Sequence, residues 1–204
     1  MAKQNVVKMI TPPAVGAYVW LNKPDTEMKF SDGKYKVTLK IDKKGAPHKK
    51  FMKELEKLSL EIAESIQASE EHPDHKEWKG LDLENMKYPH RDGDATDKED
   101  FKGFWTLCAK TKFRPGMFDC SDPVQSLPEG EEPRSGDSMR LAVALNPYCM
   151  GKGNFGISAQ LRNVQLIERN NTGSGQDDAF EAVEGGFKTN STKPDNISDD
   201  EDDF

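Results

Sequence analysis

The stretch Lys34-Tyr35-Lys36-Val37-Thr38-Leu39-Lys40-Ile41 decides the fold class. Tyr35, Val37, Leu39 and Ile41 alternate strictly with Lys34, Lys36, Thr38 and Lys40, the two-residue period of a strand with one face in a core and the other in water. The wet face is therefore a row of lysines. Upstream, Val15 to Leu21 reads as a second strand. Between the two, Lys23-Pro24-Asp25 and Ser31-Asp32-Gly33 supply turn chemistry, Pro by fixing φ and Gly by permitting positive φ.

Downstream the period changes. From Pro47 to about Ser69, Phe51, Leu55, Leu58, Ile62 and Ile66 recur at spacings of three and four, one apolar stripe on a helix that begins near Pro47 and ends before Pro73. Its other face mixes Lys50, Lys53 and Lys57 with Glu54, Glu61 and Glu64, the pattern of a solvated surface. Residues 70 to 100 form a charged connection longer than usual, which predicts either a working loop or disorder. Phe104 to Phe113 then reads as a strand broken by Arg114-Pro115-Gly116, and Ser121 to Gly136 as loop. Met139, Leu141, Val143 and Leu145 alternate in a further strand. A Gly-rich turn, Gly151-Lys152-Gly153-Asn154, joins it to Phe155 to Ile167, with a one-residue slip near Asn163. About five strands and one helix predict a small antiparallel Greek-key barrel, the inventory of an OB-fold.

Charge divides the chain. Residues 177 to 204 hold ten acids against two lysines, a net −8 within a total of −7. Residues 1 to 53 hold twelve lysines against four acids, a local +8. Beyond Glu168 the chain has too few apolar residues to offset the entropy of ordering. The expected division is a folded domain over 1 to 169 and a disordered acidic tail over 170 to 204. No run approaches the roughly 18 apolar residues of a membrane span, and the start lacks a secretory pattern. Three cysteines without a CxxC fit a reducing cytoplasm.

The chain contains no GxSxG, Walker A or HExxH motif, and the SxxK spacing of Ser31 to Lys34 and the GxGxxG spacing of Gly151 to Gly156 both fall in turns next to strands, so nothing in it argues for an enzyme. No metal or cofactor is expected: His72 and His75 lie in a charged loop without a nearby cysteine, and Asp92-Gly93-Asp94-Ala95-Thr96-Asp97 lacks the Gly and Glu placement of a calcium loop. What remains is cationic and aromatic. A groove for single-stranded nucleic acid needs cations to track phosphates and flat rings for unpaired bases. The candidate cations are Lys34, Lys36, Lys40, Lys110, Lys112, Arg114, Arg140, Lys152 and Arg162; the candidate rings are Tyr18, Trp20, Trp105, Tyr148 and Phe155. Tyr148 and Phe155 flank the Gly-rich turn and are expected to be exposed. Tyr35, Phe104 and Phe113 are expected in the core, while strand parity leaves Trp20 and Trp105 open to either face.

The end of the chain, Ser198-Asp199-Asp200-Glu201-Asp202-Asp203-Phe204, sets one aromatic residue directly after a dense acidic run. A ring inserted in an apolar pocket, with the acids on surrounding Lys or Arg, is a peptide-docking mode. The same flexible polyanion can compete with DNA for the protein's own basic face at high effective concentration.

Taken in order, Ala17 to Ile41, Tyr88 to Asp94, Lys110 to Pro115, Ser135 to Tyr148, Gly156 to Gln165 and the Phe-capped tail resemble the phage single-stranded DNA-binding proteins that pair an OB-fold with an acidic tail, nearest the siphovirus branch. Lys23-Pro24-Asp25 and Asn146-Pro147-Tyr148 extend the likeness to the T-odd coliphage type, from which the long 70 to 100 loop, Leu107 and Ala109 depart. The resemblance implies binding of single-stranded DNA without sequence preference, in replication and recombination in the host cytoplasm. It also implies docking of the tail to the phage DNA polymerase and helicase-primase, and a homodimer is among the assemblies it allows. By the same likeness Arg140 falls at a cation position, Tyr148 at a base-stacking ring and Lys3 in a basic N-terminus. An RNA-binding barrel and a protein-interaction adaptor of the same fold are the alternatives, and comparing DNA with RNA oligomers separates them.

Overall fold

The structure, a computed structural model, describes residues 6–26, 31–151 and 153–170. The chain divides into two units, Met1–Asn170 and Asn171–Phe204, and all described residues belong to the first. Lys3, Lys152 and the tail residues Asp199, Asp200, Glu201, Asp202, Asp203 and Phe204 lie outside the described residues.

Among the described residues, eight strands and two α-helices follow one another as β1 (Lys8–Ile10), β2 (Ala14–Trp20), β3 (Tyr35–Asp42), α1 (Ala46–Ala68), α2 (His75–Trp78), β4 (His90–Asp92), β5 (Phe104–Thr111), β6 (Gly116–Phe118), β7 (Ser138–Cys149) and β8 (Phe155–Glu168). β2 pairs β3, β3 pairs β5, β5 pairs β8, β8 pairs β7 and β7 returns to β2. This closed ring of five strands is an OB-fold barrel. The ring departs from a purely antiparallel one at a single contact, where β5 and β8 run parallel through Ala109↔Ala159 and Lys110↔Gln160. An antiparallel hairpin already fixes the direction of β8 against β7, and β5 meets its other edge head to head. β6 adds a second parallel contact on β8. The one-residue slip expected near Asn163 is present: Val143 faces Leu161 and Ala142 faces Asn163, so Arg162 is the extra residue.

The core follows from the alternation. Val37, Leu39 and Ile41 of β3, Leu107 and Ala109 of β5, Met139, Leu141 and Val143 of β7, and Ile157, Leu161 and Val164 of β8 are all buried, each large apolar side chain contributing about 1.5–3 kcal/mol on leaving water. α1 covers this core with Phe51, Met52, Leu55, Ala63 and Ile66. Leu58 and Ile62, at the edge of the expected stripe, are half-buried. Pro47 sits in the first turn, and His48 ties the helix start to the barrel, its ring nitrogens 3.0 Å from the Asp42 carbonyl and 3.1 Å from that of Pro13.

The connection over 70 to 100 is ordered, and backbone pairing holds it to the barrel. β4 pairs β5 from His90↔Leu107 to Asp92↔Trp105. Lys87 bridges to β8, its N–H donating to Phe155 O (3.0 Å) and its carbonyl accepting from Ile157 N (2.9 Å). The approach is so close that a Cβ on Gly156 would lie 2.1 Å from the Lys87 carbonyl oxygen, and one on Gly93 2.1 Å from that of Phe101. No side chain fits at either position. Trp78 of α2, fully buried, meets the Phe155 ring edge to face at 5.5 Å.

Candidate nucleic-acid interface

The outward residues of the barrel's central strands are polar or cationic. Thr38 of β3 stands beside Cys108 of β5, and Lys110 of β5 beside Gln160 of β8. They floor a cavity of about 1030 Å³. One wall is the ordered connection, with Tyr88, Pro89, Arg91, Thr96, Lys98 and Phe101; the other side carries Asn146 and Tyr148 of β7, and Lys34, Lys112 and Phe113 stand at its rim. The acidic Asp97 and Tyr18 also line it. Tyr18 sits at the register shift of β2 between Ala17 and Trp20 with φ 49°, a left-handed conformation costly for a residue with a Cβ. The turn leaves its ring half exposed, 6.0 Å from Phe101, with its hydroxyl accepting from Lys98 Nζ at 3.0 Å.

Charge in this cavity is positive on balance. Asp32 pairs with Lys110 at 2.9 Å and with Lys34 at 3.9 Å. Burial pulls the Asp32 carboxyl upward, but the hydrogen bond and charge of Lys110, with Lys34 and Lys36 behind it, outweigh that and hold it below the ordinary range. Burial likewise pulls Lys110 downward, and its hydrogen bond to Asp32 together with the charges of Cys108 and Asp32 outweighs that and raises it. Two lysines thus share one carboxylate. Among the described residues Arg91, Lys98 and Lys112 have no acidic partner. Cations and rings around a polar floor suit a flexible polyanion carrying flat groups.

Of the residues singled out in the sequence, the structure brings Lys34, Lys110, Lys112, Tyr148 and Tyr18 together here. Others are drawn into internal pairs. Lys36 bonds the buried Asp25 and lies 6.0 Å from the Trp20 ring; Arg114 bonds the buried Glu132 at 2.7 Å; Lys40 stands 5.5 Å from the Phe104 ring. Trp105 is half-buried against the core, with Lys43 at 6.0 Å. Arg140 donates to Gln165 Oε1 at 2.6 Å, and Arg162 lines a separate, smaller cleft.

Four expectations about rings are corrected: Tyr35 and Phe104, expected in the core, are only half-buried and lie outside it, and two others are reversed. Phe155, expected at the exposed edge of the turn, is buried: it shares the inward parity of Ile157, Ala159 and Leu161 and packs on Trp78. Phe113, expected in the core, is 79% exposed. Its parity with Leu107 and Ala109 would bury it only if the strand continued, and β5 ends at Thr111. Arg91, Lys98, Tyr88 and Phe101 were not singled out as site residues because they lie in the aperiodic connection. Tyr88 and Arg91 do belong to the Tyr88 to Asp94 segment that carries the family resemblance.

Among the described residues no group of three His, Cys, Asp or Glu side chains is placed to hold a metal ion, and no helix is long and apolar enough to cross a membrane.

A family model described as Enterobacter phage Enc34, ssDNA-binding protein, matches residues 7–197. No curated protein sequence matches the chain. Among solved structures, the single-stranded DNA-binding protein from bacteriophage Enc34 in complex with ssDNA aligns with TM-score 0.59 and 19% identity over 83% of this chain and 94% of that one. Its C-terminal truncation aligns with TM-score 0.59 and 20% identity over 80% and 86%. The gp2.5 single-stranded DNA-binding protein of bacteriophage T7 aligns with TM-score 0.57 and 19% identity over 90% and 99%. At these identities the structural likeness is one of fold.

Proposed function

From its place in the family of the Enterobacter phage Enc34 ssDNA-binding protein, to which this chain belongs, we propose that it binds single-stranded DNA without sequence preference during phage DNA replication and recombination. The observation that carries this reading is the cavity in which Lys34, Lys110, Lys112, Arg91 and Lys98 surround the rings of Tyr18, Tyr88, Phe113 and Tyr148. Ammonium and guanidinium groups there neutralise phosphates and release counterions, and rings stack on whichever base arrives. Duplex DNA hides its base faces and gains only the first of these terms.

In this reading residues 1–169 are the binding domain and 170–204 an acidic tail whose final Phe204 docks on the phage polymerase and helicase-primase. The tail also competes with DNA for the basic cavity. Support for it comes from the sequence alone: ten acids in residues 177 to 204 and an aromatic end.

Fluorescence anisotropy of a labelled dT oligomer, titrated with the full chain at two salt concentrations against duplex and RNA competitors, tests the proposal. Tight, salt-sensitive binding that duplex DNA does not displace is expected. Equal displacement by duplex, or no binding, refutes it and leaves an adaptor of the same fold. Preferential displacement by RNA would make the barrel an RNA binder. Deleting residues 196–204 should leave DNA binding equal or stronger while abolishing capture of the polymerase; weaker DNA binding would contradict the competing tail.

A further inference from the structure

Arg162 stands apart from the cavity, yet the register of the sheet places it on the same outer face. Lys110, on the cavity floor, is in register with Gln160 of β8, Gln160 with Ala144 of β7, and Ala144 with Lys8 of β1. One row therefore crosses four strands, and at about 4.8 Å per strand it carries from Lys110 to Lys8 in roughly 14 Å. The next row sets Asn163 beside Ala142 and Ala142 beside Ile10. Because β8 has its extra residue at Arg162, both Arg162 and Asn163 are turned to solvent, as a bulge requires.

A second cleft of about 460 Å³ opens there, lined by Lys8, Ala142, Val143, Arg162 and Asn163. Nothing larger than a methyl group rises from its alanine floor. Its two cations flank that floor, and among the described residues neither has an acidic partner. The cavity's near edge is the Asn146–Gln160 pair, whose side chains bond to each other at 3.0 Å, and the row runs from Gln160 through the buried Ala144 to the cleft's Lys8.

We propose that this cleft is a second nucleotide subsite: a single strand leaving the cavity over the Asn146–Gln160 pair continues into it, and Lys8 and Arg162 neutralise its phosphates. This rests on the cavity being the DNA site. Shared face, shared register and unspent positive charge favour a continuing strand over a separate acidic peptide. An aromatic ring is absent from the cleft lining, so it adds phosphate contacts and little stacking. It lengthens the bound segment without adding base preference.

The test compares the full-length protein with Lys8→Glu/Arg162→Glu and the milder Lys8→Gln/Arg162→Gln on dT oligomers of about 4 and about 12 nucleotides, both within the range of site sizes for one OB barrel. The unaltered protein should bind the longer oligomer more tightly. The Glu variant should bind the short oligomer as before and the long one roughly tenfold more weakly, its salt slope flattened by about 1.4 for two lost phosphate contacts. The Gln variant should show the same pattern, smaller. Equal losses at both lengths, or none at either, overturn the proposal, and so does an acidic peptide that binds the cleft while DNA of both lengths ignores the substitutions. Failure of the unaltered protein to bind either oligomer refutes the cavity reading itself. Binding that does not strengthen with length refutes only the cleft.

Discussion

Removing the Phe113 ring separates binding from folding. Phe113 stands at the cavity rim with 79% of its surface exposed, so Phe113→Ala deletes no packed contact and should move stability by no more than about 0.5 kcal/mol. If a base stacks on the ring, its loss costs about 1–3 kcal/mol of binding, or about 5- to 140-fold in affinity at 1.4 kcal/mol per decade. A ring releases no counterions, so the salt slope should stay where it was while the whole line shifts. Phe155→Ala is the counter-experiment. That ring is buried and edge-to-face with Trp78, and its truncation should cost about 3–5 kcal/mol of stability. The assay is dT-oligomer anisotropy across a salt series beside thermal or urea unfolding. An unchanged affinity for Phe113→Ala, or a loss accompanied by a flattened salt slope, refutes stacking at this position.

Three further outcomes follow from the same geometry. Asp32→Asn frees the two lysines that share it and should tighten DNA binding about 2- to 5-fold at low salt, an advantage that disappears near 1 M salt; weaker binding at low salt would mean that Asp32 is needed to aim them. Tyr18→Asn suits the left-handed backbone at φ 49° and should raise stability by up to about 1 kcal/mol while weakening DNA binding, seen by paired melts and titrations; a loss of stability would sink the strain argument. His90 is held below its ordinary value mainly by burial, against the opposing pull of Glu56 at 3.2 Å. The unfolded chain therefore takes up this proton first, so stability that is full above about pH 6.5 declines as pH falls through that value. His90→Gln should flatten the melting-temperature profile between pH 7 and 5, and an identical slope in both proteins would exclude His90 as its source.

Long periodic segments were legible in the sequence, and short or aperiodic ones were not. The alternation in Tyr35–Ile41 and Met139–Leu145 and the stripe from Phe51 to Ile66 each repeat often enough to set a face, and all of these apolar positions but Tyr35, Leu58 and Ile62 are buried. β1, β4 and β6 are three residues each, too short to show a period. Trp20 was unreadable for a different reason: the register shift at Tyr18 reverses parity before Trp20 is reached. Phe155 carried a usable signal in its spacing to Ile157 and Ala159. Arg91 and Lys98 carried none as cations, because long-range pairing of the connection with β5 and β8 brings it to the cavity.

That pairing has a kinetic consequence. A wall held by ladder bonds to β5 and by Lys87 to β8, with glycines where no side chain fits, is finished before any strand arrives. Much of the ordering entropy that a mobile lid would lose on closing has already been spent in folding. Encounter with DNA should then be a single bimolecular step, its observed rate rising linearly with protein concentration and without a plateau. Salt should act on the arrival rate through long-range attraction, and the paired amides of Lys87 and β4 should resist hydrogen exchange as well without DNA as with it.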